Sequence, residues 1–432
     1  MKISVSGIRG VFGKELNLKD IIKFCQNFST LVKSKKCVVG NDTRPSSEII
    51  RETAIASLME RGVDVYNIGM APTPVVFREA RKYGAGLIIT SSHNPIEWNG
   101  LKFIVDGRGI NQFEINELTK KRSFNKEKSG SEYKENFDYI DDAAKLIGKI
   151  NTNPNIALDL CGGAAVNVAP KLLEQIGCKI ATINEKLEHS SSGPDPTVDP
   201  LVELVQKTKS GFLGFAFDLD GDRLVIVKDG KKQSSDVSLG LGVAKALELG
   251  HRKFVLSIDT SVAIEKFIKE EGGQVQRSKV GESNVVEQMI KTDSKVGGEG
   301  SSAGFILSEF NMCRDGILTS GLVASMVGTQ TFSDVIKMIE DFTLLRTKVN
   351  VESSVHDRTM EILSDKLKHD FSELIQLDGV KSIVDDNTWI LVRKSNTEHS
   401  IRISVESNNF DKAKSLQKQV TELVKHCYEK AR

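Results

Sequence analysis

Three stretches of the chain repeat one order of hydrophobic and polar positions: a short β-branched run, a polar break, an amphipathic helical segment closed by glycine, and a second short apolar run. The first is Cys37-Val38-Val39-Gly40, a helix predicted over about Ser47 to Arg61, then Gly62 and Val63-Asp64-Val65-Tyr66. The second is Asn155-Ile156-Ala157-Leu158-Asp159, a helix from about Ala165 to Ile176, Gly177, and a strand from Cys178 to Ile183. The third runs from Lys253 to Ile258, through a helix from about Val262 to Glu271, to Gly272-Gly273 and Gln274-Val275-Gln276. Units of this kind build open, largely parallel sheets covered by helices. The end of the chain differs. Trp389 to Val392 and Ile401 to Val405 read as paired strands, followed by an Asp411-capped helix to about Lys430. The pattern predicts three similar α/β domains with mixed, largely parallel sheets, plus a C-terminal α+β domain. The repeat divides the chain into 1–150, 151–250, 251–346 and 347–432. The predicted linkers are Asn151 to Pro154, the stretch around Leu249-Gly250-His251, and Arg346 to Ser354.

After each unit comes a loop rich in Gly, Ser and Asp: Thr90 to Pro95, Asp218 to Arg223, and Gly297 to Gly304. Loops at strand ends are where open α/β sheets bind ligands, so these three are expected to converge on one cleft.

Composition narrows the ligand. Lys plus Arg number 59 against 58 Asp plus Glu, a net charge of +1 that supplies no global field for a nucleic-acid backbone or an anionic membrane. No segment approaches the ~18 consecutive apolar residues of a membrane span. Neither nucleic acid nor membrane is an expected partner. The start, Met1 to Gly7, lacks the basic-then-apolar run of a secretory signal, and a cytoplasmic protein is expected. Cys25, Cys37, Cys161, Cys178, Cys313 and Cys427 form no C-x-x-C pair and read as buried, inert thiols.

The chemistry sits in the loops. Asp218-Leu219-Asp220-Gly221-Asp222-Arg223 lies between two apolar runs. Carboxylates at alternate positions of an extended chain point to one side, where their repulsion calls for a cation, and hard oxygen ligands suit Mg²⁺. A calcium EF-hand would need Gly and Glu where Arg223 and Asp229 stand; a polar hairpin turn is the other reading. Thr90-Ser91-Ser92-His93-Asn94-Pro95 follows the apolar run Gly86 to Ile89, and its Asn-Pro turn displays a serine at a strand end. Alternatively, it is a turn that satisfies its own backbone. Arg393-Lys394-Ser395-Asn396-Thr397-Glu398 connects two predicted strands and offers a guanidinium, hydroxyls and turn amides to a phosphate, or else is a solvated hairpin loop. Gly298-Glu299-Gly300-Ser301-Ser302 offers a carboxylate and hydroxyls suited to sugar hydroxyls.

Taken together and in this order, the loops resemble those of the α-D-phosphohexomutases, the family of phosphoglucomutases, phosphomannomutases and phosphoglucosamine mutases. The resemblance spans essentially the whole chain. It includes Ser6-Gly7-Ile8-Arg9-Gly10, Asn99-Gly100-Leu101-Lys102-Phe103 and Lys279-Val280-Gly281 besides the four loops. It implies four domains around one cleft, with Ser92 carrying a phosphoryl group beside His93. Asp218, Asp220 and Asp222, together with Ser92, would hold Mg²⁺. Glu299 and Ser301 would bind sugar hydroxyls. Arg393, Ser395, Asn396, Thr397 and Arg402 would hold the phosphate that does not react, while Arg9, Lys102, Arg223 and Lys279 support the one that does.

The activity implied is interconversion of hexose 6-phosphate and hexose 1-phosphate through a phosphoserine enzyme and a hexose bisphosphate, which serves as intermediate and activator. Phosphoglucosamine mutase is the reading favoured. A phosphomannomutase or phosphoglucomutase, a sugar-phosphate phosphatase and a noncatalytic sensor are the alternatives. The expected partner is a small sugar phosphate, the expected state a monomer or homodimer, and the expected cleft wide and positively lined, with a mobile fourth domain. Two departures stand out. The sugar loop of many members ends in histidine where Ala303 stands, and the phosphate loop commonly reads R-P-S-G-T-E-P where Lys394, Asn396 and His399 differ. A base for the sugar hydroxyl is therefore expected elsewhere, first Lys102 with a depressed pKa and second Lys279, unless both only pair with phosphate oxygens.

Overall fold

A computed structural model of the chain describes residues 1–125, 127–370, 373–395 and 399–432, the side chains of 369 and 370 excepted. The first sheet orders its strands Lys2–Ser4, Gly7–Val11, Trp98–Val105, Ala85–Ile89, Lys36–Asn41, Asp64–Met70 and Glu132–Lys134. Its far end is parallel; its near end is antiparallel, because Trp98–Val105 turns straight back from Ala85–Ile89. This sheet is therefore more evenly mixed than the strand-helix-strand pattern predicts. The second sheet runs Lys179–Ile183, Asn155–Asp159, Leu213–Phe217, Leu224–Lys228 and Lys231–Lys232, parallel up to Leu213–Phe217 and antiparallel after it. The third runs Gln274–Ser278, Lys253–Ser257, Val296–Glu299 and Gly304–Leu307, with only the last pair antiparallel. The fourth is wholly antiparallel, in the order Thr343–Asn350, Ser400–Ser407, Thr388–Lys394, Val380–Asp385 and Glu373–Ile375.

One topological position recurs four times. Ala85–Ile89 turns into Trp98–Val105, Leu213–Phe217 into Leu224–Lys228, Val296–Glu299 into Gly304–Leu307, and Thr388–Lys394 into Ser400–Ser407. Each turn is one of the loops singled out from sequence, and each joins a strand to its antiparallel neighbour. A hairpin tip projects beyond the sheet, and the first three tips meet: Ser92 Oγ donates to Asp218, and Leu224 N to Ala303 O.

The cores explain how rigidly they are held. In the first sheet alternate residues serve opposite faces: Val38 and Ile88 join one core while Cys37, Val39, Leu87 and Ile89 join another. The former is shared among the first three domains, running from Phe77 through Leu158 and Phe215 to Leu239, Phe305 and Leu322. The fourth domain has its own core, in which Ile390, Val392, Ile401, Ile403 and Val405 meet Leu363, Val420 and Val424. A small cluster of Ile258, Trp389 and Leu391 joins it to the third.

Several local readings change. The helix expected from Ala165 to Ile176 is interrupted: a 3₁₀ turn over Ala164–Asn167 gives way at Val168 to Ala169–Ile176, where Pro170, lacking an N–H, fits only the first turn of a new helix. The last helix, Phe410–Ala431, is capped by Asn409, whose side chain accepts from Lys412 N, and Asp411 lies inside the first turn. The expected linker from Arg346 begins within Thr343–Asn350, which pairs along its whole length with Ser400–Ser407. Helix Ser235–Glu248 packs on Leu224–Lys228 of the second sheet and on both Val296–Glu299 and Gly304–Leu307 of the third, so the division near 250 falls at the end of a shared helix. All six cysteines are free and buried. Among the described residues no helix is long and apolar enough to cross a membrane.

A buried hydrogen bond ties helix Tyr139–Ile147 to the third domain. Tyr139 Oη donates to Asp315 Oδ1 at 2.6 Å, and Asp315 also caps helix Gly316–Ala324 by accepting from Leu318 N at 2.9 Å. Burial pushes the Asp315 carboxyl up from 3.8 to about 6, against the pull of these donors. The folded protein thus holds this proton more tightly than the unfolded chain, and the group costs stability as pH rises from about 4 to about 6, by about 3 kcal/mol in all. The Tyr139 bond matters most to the ionised form. Tyr139→Phe should lower unfolding free energy by about 1–3 kcal/mol at pH 8 and by less at pH 5, as read by urea titration. An equal loss at both pH values would show that the hydroxyl does not act on the charge.

Candidate active site

Ser92 sits at the tip of the first hairpin with φ of 50°, the left-handed region, which costs a residue with a Cβ about 1–3 kcal/mol. This conformation turns its Oγ across the domain boundary. Oγ donates to Asp218 Oδ2 at 3.2 Å and lies 3.2 Å from His93 Nδ1.

Asp218, Asp220 and Asp222 each offer an oxygen within 4.8 Å of the others, and all three are buried. Thr73 of the first domain holds the loop in place, its Oγ1 donating to Asp220 Oδ2 at 2.6 Å and its N–H to Asp220 O at 2.8 Å. Burial, reinforced by the charges of Asp220 and Asp222, pushes Asp218 well above the ordinary carboxylate range. Asp222 goes the other way. Arg314, Lys102 and Arg223 outweigh its burial and hold it below that range. The Oδ1 atoms of Asp220 and Asp222 are buried without a hydrogen-bond donor. Two donorless carboxylate oxygens beside a third strained carboxylate fit a divalent cation that prefers oxygen ligands.

Cations enclose this cluster. Arg223 donates to Asp195 Oδ1 at 3.0 Å and meets His93 Nδ1 at 2.7 Å. Burial and the neighbouring Arg223 guanidinium depress His93 to about 3, so its ring is neutral at physiological pH. Lys102 Nζ lies 3.0 Å from Glu282 Oε1 and 3.7 Å from Asp222 Oδ2. Burial alone would lower its pKa, but Glu282, Asp222 and Asp220 together raise it. The expectation of a depressed Lys102 is thereby overturned: cationic neighbours were read from the sequence, whereas carboxylates are the nearer ones. Arg9 is half-buried, with Asp220 and Asp222 in its electrostatic surroundings, and its Nη2 donates to Ser6 O at 3.0 Å. Lys279 stands apart, exposed just before helix Glu282–Thr292.

The sugar loop closes another side. Glu299 is buried, and its Oε1 accepts from Gly281 N at 2.5 Å. Ser301 hydrogen-bonds Asp259 at the end of Lys253–Ser257, and Gly300 presses so closely on Asp236 that a Cβ would fall 1.9 Å from Asp236 Oδ1. Leu224 N donates to Ala303 O at 3.2 Å, binding this loop to the strand after the acidic loop.

In the fourth sheet Arg393 is directly opposite Arg402, and Arg402 is directly opposite Lys348 on the next strand. Paired residues of this kind share a face, so Lys348, Arg402 and Arg393 form one row of cations across three strands. The same face carries Leu391 and Trp389 toward the third domain, where Trp389 Nε1 and Val262 N both donate to Glu406 Oε2. Ser395 is buried, with its N–H donating to Ser400 O at 2.9 Å. Asn396 and Thr397 lie outside the described residues.

Sequence reasoning missed the groups that knit the loops together. Arg314 is the chief one: Nη2 donates to Asp222 Oδ2 at 2.8 Å, Nη1 lies 3.4 Å from Glu299 Oε2, and Nε lies 3.4 Å from Glu282 Oε2. Its stem crosses the sugar loop where a Cβ on Gly304 would fall 2.2 Å from Arg314 Cδ. Arg314, Glu282, Asp195, Thr73 and Lys348 belong to none of the four loops, and only Glu282, directly after Lys279-Val280-Gly281, adjoined a quoted motif.

Comparison with known proteins gives one family throughout. Four successive stretches match the phosphoglucomutase/phosphomannomutase domains: α/β/α domain I over 1–128, domain II over 133–231, domain III over 235–342, and the C-terminal domain over 348–423. The "Probable phosphoglucosamine mutase" of Methanosphaera stadtmanae is 33% identical, with 96% of each chain covered. The "Phosphoglucosamine mutase" of Methanococcus maripaludis is 31% identical over 95% of this chain and 96% of its own. Among solved structures, a phosphoglucomutase/phosphomannomutase family protein of Burkholderia thailandensis shares the fold with a TM-score of 0.85, at 24% identity and over 99% of this chain and 98% of its own. The open form of pp63/parafusin, a phosphoglucomutase from Paramecium, does so with a TM-score of 0.77, at 18% identity and over 98% and 94%. With every domain of the fold matched in order and full-length relatives above 30% identity, the chain belongs to the phosphoglucomutase/phosphomannomutase family and is a phosphohexomutase.

Proposed function

We propose that this protein interconverts glucosamine 6-phosphate and glucosamine 1-phosphate, acting in the cytoplasm as a monomer or homodimer. The observation that carries the chemistry is Ser92 Oγ at 3.2 Å from Asp218, in a cluster of carboxylates ringed by arginine and lysine. The amino sugar is supported by full-length relatives that bear the name phosphoglucosamine mutase. Free, buried thiols suit a reducing compartment.

In this reading phospho-Ser92 gives its phosphoryl group to the free hydroxyl of the sugar. The bond from phosphorus to Ser92 Oγ breaks, a bond to the sugar oxygen forms, and the sugar's proton ends on Ser92. The resulting hexose bisphosphate turns over, and its other phosphoryl group returns to Ser92 by the reverse step. Mg²⁺ bound to Asp218, Asp220 and Asp222 supplies positive charge to the phosphoryl oxygens. Arg9, Arg223 and the protonated Lys102 hold the reacting phosphate, with Lys102 serving as a cation and not as the base. Glu299 and Ser301 accept the sugar hydroxyls. Arg393, Ser395, Asn396, Thr397 and Arg402 hold the other phosphate, joined by Lys348 on the neighbouring strand; Lys279 acts from the rim.

Phosphorus NMR on glucosamine, glucose and mannose 1- and 6-phosphates, with a trace of bisphosphate, tests the substrate. The highest kcat/KM should fall on the glucosamine pair, and a tenfold preference for mannose 1-phosphate would reject it. Intact-mass measurement should find a phosphate that Ser92→Ala removes.

The acidic loop acts on charge that moves during transfer, so its loss falls on the rate. Asp220→Asn should lower kcat by roughly 100-fold or more with little change in KM, and it should weaken Mg²⁺ binding in calorimetry. Full activity in excess EDTA would contradict this role.

Arg393 holds a group that does not react. Losing its charge-assisted contact costs about 2 kcal/mol or more, so Arg393→Ala should raise KM roughly 30-fold with a smaller fall in kcat. A defect in kcat alone would place Arg393 at the reacting end.

A further inference from the structure

The segment Asn41-Asp42-Thr43-Arg44-Pro45 follows strand Lys36–Asn41, next to the strand that ends at Ser92. None of its residues belongs to the site described above. Arg44 and Asp42 are nevertheless fully buried as a pair, with Arg44 Nε donating to Asp42 Oδ2 at 3.0 Å. The rest of the guanidinium faces the serine loop. Nη2 donates to Ser92 O at 2.5 Å and Asn94 O at 2.6 Å, and Nη1 donates to Pro95 O and, at 2.9 Å, to Trp98 O. Every N–H of Arg44 thus has an acceptor, and three carbonyls of the serine loop and that of Trp98, where the next strand begins, converge on a single side chain.

The other end of Ser92 is held from the same anchor. Ser92 N donates to Thr90 Oγ1 at 2.8 Å, and Thr90 Oγ1 donates to Asp42 Oδ2 at 2.7 Å. Asp42 Oδ1 is occupied by Ser47 Oγ at 2.6 Å and Arg44 N at 3.1 Å, so the carboxylate cannot swing away. Both the N–H and the C=O of Ser92 are therefore tied to Asp42, one through Thr90 and one through Arg44. Between those ties lies the φ of 50° that aims Oγ at Asp218 and His93. A backbone in a sparsely populated region persists only where its surroundings over-determine it. Here the surroundings are these three side chains.

We propose that Thr90, Asp42 and Arg44 are positioning residues that hold Ser92 in its left-handed conformation and thereby set the rate of phosphoryl transfer at Ser92 without touching the sugar. The inference rests on Ser92 as the phosphoryl carrier. Thr90 gives the cleanest test, because valine keeps its shape and loses the hydroxyl through which Ser92 N reaches Asp42, while serine keeps the hydroxyl.

Dephosphorylated protein is mixed with glucose 1,6-bisphosphate, and phosphate arriving on Ser92 is timed by intact mass; the dissociation constant of the bisphosphate is measured by calorimetry. Thr90→Val should slow transfer at least tenfold while its dissociation constant stays within twofold of wild type, and Thr90→Ser should restore the rate to within threefold. A purely structural role would lower the melting temperature and leave the rate of the folded protein unchanged. That outcome overturns the proposal, as does a Thr90→Ser variant as slow as Thr90→Val. Thr90→Ala is read in the same way, and failure of both hydroxyl-free variants to fold would also overturn it. Wild-type protein that gains no phosphate at Ser92 would instead remove the functional reading on which the inference stands.

Discussion

Three carboxylates buried within 4.8 Å of one another are the constraint around which this molecule is arranged. At such separations each pair of charges repels by about 3 to 4 kcal/mol at an effective dielectric near 20, before the cost of burial is counted. Every neighbouring element answers that repulsion. The first domain contributes the hydroxyls of Ser92 and Thr73 and the ammonium of Lys102; the second, Arg223; the third, Arg314. Domain packing and site electrostatics are thus one problem. The common core of the first three domains fixes the sheets, and the sheets fix where the hairpin tips meet.

The response is uneven, and the unevenness has chemical content. Asp222 is surrounded by cations and held ionised, while burial and the charges of Asp220 and Asp222 keep the pKa of Asp218 raised even with Arg223 beside it. The oxygens left without any donor are Oδ1 of Asp220 and Oδ1 of Asp222, and these are the ones a cation would satisfy. Lys102 and Arg314 are bridged by Glu282, which spaces two like charges that would otherwise repel across Asp222. Removing one member of such a network leaves its partner buried and uncompensated, so single substitutions here cost more than any one ion pair contributes.

Much of this was legible in the sequence because the four loops are contiguous. A strand that ends in D-L-D-G-D-R or T-S-S-H-N-P carries its ligands within a few residues, and the turn that displays them is local. The groups that were not legible act across long separations. Arg314 gains its meaning from Asp222 and Glu299, Asp195 from Arg223, and Lys348 from its register with Arg402. Lys102 shows the limit most plainly: its place beside the reacting centre followed from motif order, but the sign of its pKa shift depends on Glu282, a contact only the fold creates. The elements misread were also local competitions. Pro170 ended one helical turn and began another, Asn409 took the capping role expected of Asp411, and an expected linker was drawn into an edge strand by the pairing partner that Ser400–Ser407 provides.

On the function proposed above, the two ends of the substrate site are built to different standards of rigidity. The reacting end is shared by three domains with one core, and its serine is fixed through its own N–H and C=O. The cationic row of Lys348, Arg402 and Arg393 lies on a domain with a separate core, joined to the third by a small apolar cluster and by polar links such as Lys381 Nζ to Ile258 O at 2.8 Å. Displacing the fourth domain would uncover Ile258, Trp389 and Leu391, but the contacts described for Ser92, the acidic loop and Arg314 come from the first three domains. In the proposed function the sugar phosphate is gripped at both ends, released at both and turned around, and this division would meet those opposing demands: alignment of the reacting atoms would fall to the shared core, and tolerance for either end of the sugar to the fourth domain.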